Sequence, residues 1–493
     1  MIRSDFVMVV AGRFFSVLVA VAGLRIMTSL LDPEDYGKWV LLVAFQSFCA
    51  LLLINPVDQH IFRFTHKWWD EGTLLQNFRK YNIYICAVSI LVTVVVALWW
   101  SLNNPGENKL TSGLAAGLGV GFLVYVSTWS TTLLFSLSML GFRLESISWT
   151  LASAIFGLIC STLFTYYYAH AFSWMFGQVF GSAVGAYCAW KVLRSQVPSI
   201  TPRFSVKSFG EFLDFGTVRS FCLPLAAATG LMWLQNTGYR FWVGESWGVG
   251  ELGILVIGLG ISAQLTAIVE SLAMQFLYPY FARRISDAVT NSQTSAALGD
   301  LMNVLAPVYA IWAGFNAAFA AVLLHLLTDS RYHSAIPFVL FGVVIEFSRC
   351  IANLWSNTGR AIKQTGGLIL PYGVGASVVG IGSIVIARTN GNLEVLAALL
   401  VFAGLATSLT MMIQMQKRLA ISIHVPRLAM GIAVMFGGFV IATMVPIEAG
   451  STFRSLVALL IGGCVSGGMI AAVLWHNPAL YRLLSAPLRM NPR

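Results

Sequence analysis

The chain has 493 residues, 57% of them hydrophobic and 10% charged, with a formal net charge of +10. Soluble domains carry roughly a quarter charged residues, so this composition excludes a soluble enzyme. The basic residues are scattered through short segments and not clustered, which argues against a nucleic-acid partner. Apolar runs recur instead, each of about 20 residues and long enough to cross a hydrocarbon core as a helix. They lack the strict alternation of barrel strands. The fold class is therefore all-α and polytopic, because helices satisfy their own backbone hydrogen bonds inside a bilayer.

Fourteen spans are expected. The first six fall at 7–30, 37–57, 81–101, 112–139, 148–169 and 173–193. The next six fall at 215–241, 251–277, 301–327, 335–358, 367–388 and 392–415, and two more at 427–447 and 453–475. Arg13 interrupts the first run, which continues past Ala20-Val21-Ala22, so it reads as an uncleaved helix and not as a signal peptide. With a cytoplasmic N-terminus, 20 of the 30 Lys and Arg fall in inner segments and six in outer ones, the positive-inside pattern of an inner-membrane protein with both termini cytoplasmic.

The longest inner linkers are 58–80 and 194–214, and Val197-Pro198-Ser199-Ile200-Thr201-Pro202 breaks the second. The expected organisation is an N-terminal lobe of six spans (1–200), a C-terminal lobe of six (201–420), and an extra helix pair with a tail (421–493). Both lobes open their second helix on acid–x–Gly: Asp35-Tyr36-Gly37 and Glu251-Leu252-Gly253. An even number of helices per repeat makes the two lobes parallel and pseudo-symmetric. No outer segment is long enough to fold into a catalytic domain, and no GxxxxGK[ST] phosphate loop is present.

Arginines inside spans are expensive and point to function. Arg13 and Arg25 share span one, Arg219 enters span seven ahead of Pro224, and Arg349 lies deep in span ten. Glu346, three residues before Arg349, can pair with it on one helix face. Glu270 in span eight has no basic residue within a helical turn on its own helix, so it either carries a proton or meets an arginine from elsewhere. Four cations against two carboxylates favour an anionic substrate, since guanidinium pairs well with phosphate oxygens. Pro224 permits a bend, as a gate helix requires. Glu270 and Glu346 are the candidates for ion coupling. Glycine faces such as Gly113, Gly117, Gly119 and Gly121 allow close helix packing. The seven cysteines lie in apolar runs without metal spacing and are expected to be buried thiols. The seven histidines are expected to sit singly near interfaces. No metal or cofactor is implied.

Three segments carry a family resemblance: Leu31-Asp32-Pro33-Glu34-Asp35-Tyr36-Gly37, similar to an L-x-P-x-x-Y-G turn; Phe215-Gly216 through Leu223-Pro224 to Tyr239-Arg240, followed by Gly253 and Tyr278-Pro279-Tyr280-Phe281-Ala282-Arg283; and Tyr332-His333-Ser334-Ala335. The chain resembles the polysaccharide flippases of the Wzx type, in the superfamily that also holds MATE exporters and lipid II flippases. The family often has Asp-Arg at the end of span seven; Tyr239 stands here before Arg240, so the acid is missing. The resemblance implies two six-helix lobes around a central cavity. It also implies a substrate of oligosaccharide on polyprenyl pyrophosphate, carried from the cytoplasmic to the periplasmic leaflet for cell-surface polysaccharide synthesis. Arg13, Arg25, Arg219 and Arg349 would hold the pyrophosphate, with a proton or sodium counter-ion and the polymerase or chain-length machinery as further partners. A lipid II-type flippase, an ion-coupled exporter and a membrane acyltransferase are the alternatives.

Overall fold

Apolar runs punctuated by acidic caps, prolines and glycines fold as helices throughout the computed structural model, which describes residues 2–103, 109–196, 222–362, 364–389, 391–444 and 452–484. In chain order they are α1 (Ile2–Leu30), α2 (Pro33–Cys49), α3 (Asn55–Asp70), α4 (Leu74–Asn103), α5 (Lys109–Met139), α6 (Arg143–Tyr167) and α7 (Ala171–Gln196). Then come α8 (Leu223–Trp233), α9 (Tyr239–Ser246), α10 (Val249–Phe276), α11 (Tyr278–Asp287), α12 (Asn291–Ala318) and α13 (Ala320–Leu327). The last are α14 (Ile336–Ala361), α15 (Ile369–Arg388), α16 (Leu393–Arg418), α17 (Val425–Met444), α18 (Thr452–Trp475) and α19 (Pro478–Leu484). Among the described residues, 11 helical stretches are long and apolar enough to cross a membrane. The other three expected spans coincide with α1, α7 and the stretch from α8 to α9. The break at 197–202 and Arg219 lie outside the described residues.

By internal packing the chain divides into two units, Met1–Trp233 with Val243–Gly253, and Leu234–Trp242 with Ile254–Arg493. In unit 1, α2 starts where its sequence dictates. The Asp32 carboxylate accepts the Asp35 amide at 2.8 Å and Pro33 occupies the first turn, satisfying a donor that a helix N-terminus leaves free. The two acid–x–Gly turns then meet. A Cβ on Gly37 would lie 2.0 Å from the Val249 carbonyl oxygen, and one on Gly253 2.1 Å from the Pro33 carbonyl oxygen. Only glycine permits so close an approach of one backbone to another.

The segment 58–80, expected as a linker, is mostly helix. A π turn at Ala50–Ile54 joins α2 to α3, which runs to Asp70 before a turn at Gly72 with φ of 69°. The polar residues there mislead, because they occupy one face only. Val57, Ile61, Thr65 and Trp68, at helical spacing, are buried in a cluster with Phe78, Tyr81, Ile85, Leu133, Leu137 and Leu193. The glycines of α5 pack closely as expected: a Cβ on Gly117 would lie 2.4 Å from the Thr93 carbonyl oxygen of α4.

In unit 2, α10 and α14 cross at small residues. A Cβ on Gly258 would lie 2.7 Å from the Ala335 carbonyl oxygen and one on Gly342 3.0 Å from the Leu259 Cα. The Ser262 hydroxyl donates to the Val339 carbonyl at 2.9 Å. This crossing brings the C-terminal half of α10 against the middle of α14. A capping box at Thr290 and Gln293 opens α12. The tail helix α19 is tied to the unit by Arg482, which meets the buried Asp300 carboxylate at 2.5 Å, while Arg284 of α11 meets the same carboxylate at 2.7 Å. That carboxylate holds the Arg482 proton more firmly than usual.

Two expectations are corrected by the packing. Cys49, Cys222 and Cys350 are buried, but Cys86 and Cys464 are exposed and Cys160 and Cys188 only half-buried. An apolar run in a polytopic chain has faces turned away from the protein, so apolar surroundings in sequence do not imply burial. His325 and His333 are not single either: their ring centroids lie 3.7 Å apart, because the 3-10 turn Ser330–Ala335 folds back beside α13.

Candidate functional site

A polar stripe runs down α14 at helical spacing: Glu346, Arg349, Asn353, Asn357 and Arg360. At its upper end Arg349 ties two carboxylates together. Its Nε donates to Glu346 Oε2 at 2.7 Å, the neighbour one turn back. Its Nη2 donates to Glu270 Oε2 at 2.5 Å, and Nη1 approaches Glu270 Oε1 at 3.4 Å, a fork-to-fork contact with α10. Asn353 Nδ2 adds a 3.4 Å contact to Glu270 Oε1. The side chains are only partly exposed, 31% for Arg349, 22% for Glu270 and 12% for Glu346. Of the two outcomes open for Glu270 in the sequence, the structure shows the second: it meets an arginine from another helix.

Below this tie lies a cavity of about 220 Å³ lined by Glu270, Tyr278, Tyr309, Asn353, Asn357 and Arg360, with apolar side chains of α10, α12 and α14 between them. Arg360 is exposed and has no hydrogen bond or ion pair among the described residues. Sequence reasoning placed it among the inner loop cations and missed it as a site residue. The signal was present: 346, 349, 353, 357 and 360 all fall on one face of a 3.6-residue helix.

The expected arginines therefore part company. Arg349 has both its fork and its Nε engaged by carboxylates of the protein. Arg25 is exposed on α1. Arg13 lies on α1, with its side chain outside the described ones, and Arg219 lies outside the described residues. Pro224 stands in the first turn of α8, just after π geometry at Cys222, and a further π turn follows at Leu234–Gly238. There the buried Gln235 accepts the Thr407 hydroxyl at 3.1 Å, which helps satisfy a polar group in an apolar bundle. Among the described residues no group of three or more metal-ligating side chains occurs.

A further carboxylate with interior partners lies in unit 1, on the helix that the sequence had read as a linker. Asp58 Oδ1 accepts hydrogen bonds from the Tyr81 hydroxyl of α4 and, at 3.0 Å, from the Thr132 hydroxyl of α5. Tyr81 and Thr132 are both 0% exposed.

The described residues thus form helical bundles with 11 stretches long and apolar enough to cross a membrane, and with charged side chains paired in their interior at Glu270, Glu346 and Arg349. The model of the polysaccharide biosynthesis protein family matches residues 26–337, and the chain belongs to that family. Its fold is similar to that of the lipid II flippase MurJ in an inward closed conformation, at 13% identity over 96% of this chain and 99% of that one, with a TM-score of 0.64. It is also similar to an inward-facing multidrug resistance MATE family transporter of the MOP superfamily, at 12% identity over 87% of this chain and 93% of that one, with a TM-score of 0.56. At such identities the likeness is one of fold. Among curated protein sequences none matches significantly. The fold is one shared with these two transport proteins.

Proposed function

We propose that this protein carries polyprenyl-pyrophosphate-linked oligosaccharide repeat units from the cytoplasmic to the periplasmic leaflet of a bacterial inner membrane, for cell-surface polysaccharide synthesis. The observation that carries this reading is the cavity beneath the Glu270–Arg349–Glu346 tie, which Arg360 and two asparagines line together with apolar side chains. A guanidinium with free donors suits phosphate oxygens, and amide side chains suit sugar hydroxyls. Glu270 also lines that cavity, and a free carboxylate there would repel an anion. Its bidentate contact with Arg349, which Glu346 shares, offsets part of that charge; we assign Arg349 to conditioning the cavity and Arg360 to meeting the phosphates. Arg13, Arg25 and Arg219 are proposed as the cations of the N-terminal lobe (1–200) and its junction with the second (201–420), with 421–493 as an added helix pair. Pro224 is proposed as a hinge. The polyprenyl tail stays in lipid throughout, because burying it inside the protein would bring no gain over hydrocarbon.

The reading is tested by complementation of a strain deficient in glycan export, with membrane levels checked by blotting. Arg360→Ala, Arg13→Ala and Arg219→Ala should abolish export at normal protein levels. Arg→Lys should restore part of it, since lysine keeps the charge and loses the fork. Normal export in all three alanine variants overturns the anion-binding reading. Rescue of a strain lacking lipid II transport, without rescue of glycan export, would assign the cavity to lipid II instead. A reporter fused after Arg493 should face the cytoplasm.

A further inference from the structure

Asp58 is a half-buried acid that the proposed substrate cavity does not use. It lies on α3 two residues beyond Pro56, just past the π turn that joins α2 to α3. Three helices converge on its carboxylate, α3 carrying it and α4 and α5 each supplying a hydroxyl. Both hydroxyls address Oδ1, and Oδ2 has no partner among the described residues. The partners are fully buried, while Asp58 itself is half-buried.

The groups around it are mostly neutral. From α4 come Tyr81, whose hydroxyl it accepts, and Tyr84, which donates to the Leu53 carbonyl at 2.7 Å. Lys80, next along α4, reaches Asn77 at 3.4 Å. From α5 comes Thr132. Ahead of α8 comes Cys222, whose thiol approaches the Pro56 carbonyl at 3.7 Å. On its own helix, the His60 ring lies against Phe64. Among the described residues no Lys, Arg or His forms an ion pair with Asp58. A carboxylate in the protein interior with no ion pair among the described residues calls for a cation or a proton to offset it. Two hydroxyls that spend their hydrogens on the carboxylate do not offer their lone pairs in the way a metal cage does.

We propose that Asp58 is a proton-binding site: its Oδ2 takes a proton from the aqueous side, and the two charge-assisted hydrogen bonds that tie α3 to α4 and α5 become weaker neutral ones. An ionised acceptor holds a hydroxyl about twice as strongly as a neutral one. Protonation therefore loosens α3 just beyond the π turn. The same stretch is sewn to α8 inside unit 1. Thr229 donates to the Leu51 carbonyl at 2.7 Å, and Trp233 Nε1 donates to the Ala44 carbonyl at 3.1 Å. A proton at Asp58 thus acts on the bend that joins span two to span seven. The transport purpose of this site rests on the proposed function, but the proton binding does not.

Infrared difference spectra of the full-length protein in lipid vesicles, taken between mildly acidic and mildly alkaline buffer, test the site without any substrate. A carboxylic C=O band should appear on the acid side in the wild type and in Glu270→Gln. It should vanish in Asp58→Asn and persist at a shifted position in Asp58→Glu. Tyr81→Phe, which removes one donor and no acid, should shift the band, a readout available even if Asp58→Asn fails to fold. A band unchanged in Asp58→Asn and Tyr81→Phe, or no band in the wild type, overturns the proposal. A band abolished by added sodium chloride but not by choline chloride would make Asp58 a sodium site and overturn it equally. Because glycan export plays no part, this result and the complementation result can fail independently.

Discussion

The two units keep their buried carboxylates in different ways. In unit 2, Glu270 and Glu346 are held by one guanidinium, with N–O distances of 2.5 and 2.7 Å. In unit 1, Asp58 is held by two hydroxyls and no cation among the described residues. A guanidinium is charged at any pH a cell meets, so the unit 2 carboxylates have a permanent cation between them that fixes their geometry. Hydroxyls follow the carboxylate whether it is charged or neutral. The comparison teaches that a chain can spend one acid on holding a cavity in shape and another on responding to protons, and that the partner's chemistry distinguishes the two.

Removing the guanidinium should have the largest effect. Arg349→Ala leaves two carboxylates facing each other, and breaking a buried pair from one side costs about 3–5 kcal/mol. With Arg349 about one-third exposed, water screens part of that, and roughly 2–3 kcal/mol is the expected loss. Thermal unfolding in detergent should show it, with recovery in the Arg349→Met, Glu270→Gln, Glu346→Gln triple variant. A wild-type melting temperature for Arg349→Ala would mean that the tie holds nothing.

Asp58 should respond to the kind of substitution more than to loss of charge. Asp58→Ala strands the buried Tyr81 and Thr132 hydroxyls, at about 1–3 kcal/mol. Asp58→Asn keeps an oxygen for both and should stay within about 1 kcal/mol of the wild type. Equal losses in the two variants would show that a neutral oxygen cannot keep the two hydroxyls, and a site that takes a proton and retains its partners would be ruled out. The smallest effect on stability belongs to Arg360→Ala. An exposed side chain without partners among the described residues changes stability by no more than about 0.5 kcal/mol, so any loss of export is a loss of binding.

The spans were legible because about 20 apolar residues in a row admit few other structures, and every expected span coincides with a helix where residues are described. Glu346 with Arg349 was legible for the same reason, since i and i+3 are neighbours on any helix. Glu270 was not, because its partner lies 79 residues away and local sequence carries no trace of it. Asp58 was hidden by its neighbours. His60, Arg63, His66 and Lys67 make the stretch read as a polar linker, although Val57, Ile61, Thr65 and Trp68 keep helical time on the buried face. Arg360 was lost to the opposite error, because a cation at a helix end satisfies the topology count and invites no further question.

The central claim is that the Arg360 cavity receives the pyrophosphate of a lipid-linked sugar. It is tested most directly in proteoliposomes that contain a fluorescent polyprenyl-pyrophosphate monosaccharide, by following the fraction reached by a membrane-impermeant quencher. The wild type should bring the inner-leaflet probe within reach of the quencher, Arg360→Lys should do so more slowly, and Arg360→Ala should leave that pool protected as in protein-free vesicles. Equal rates for wild type and Arg360→Ala, or a wild type no faster than empty vesicles, would contradict the account.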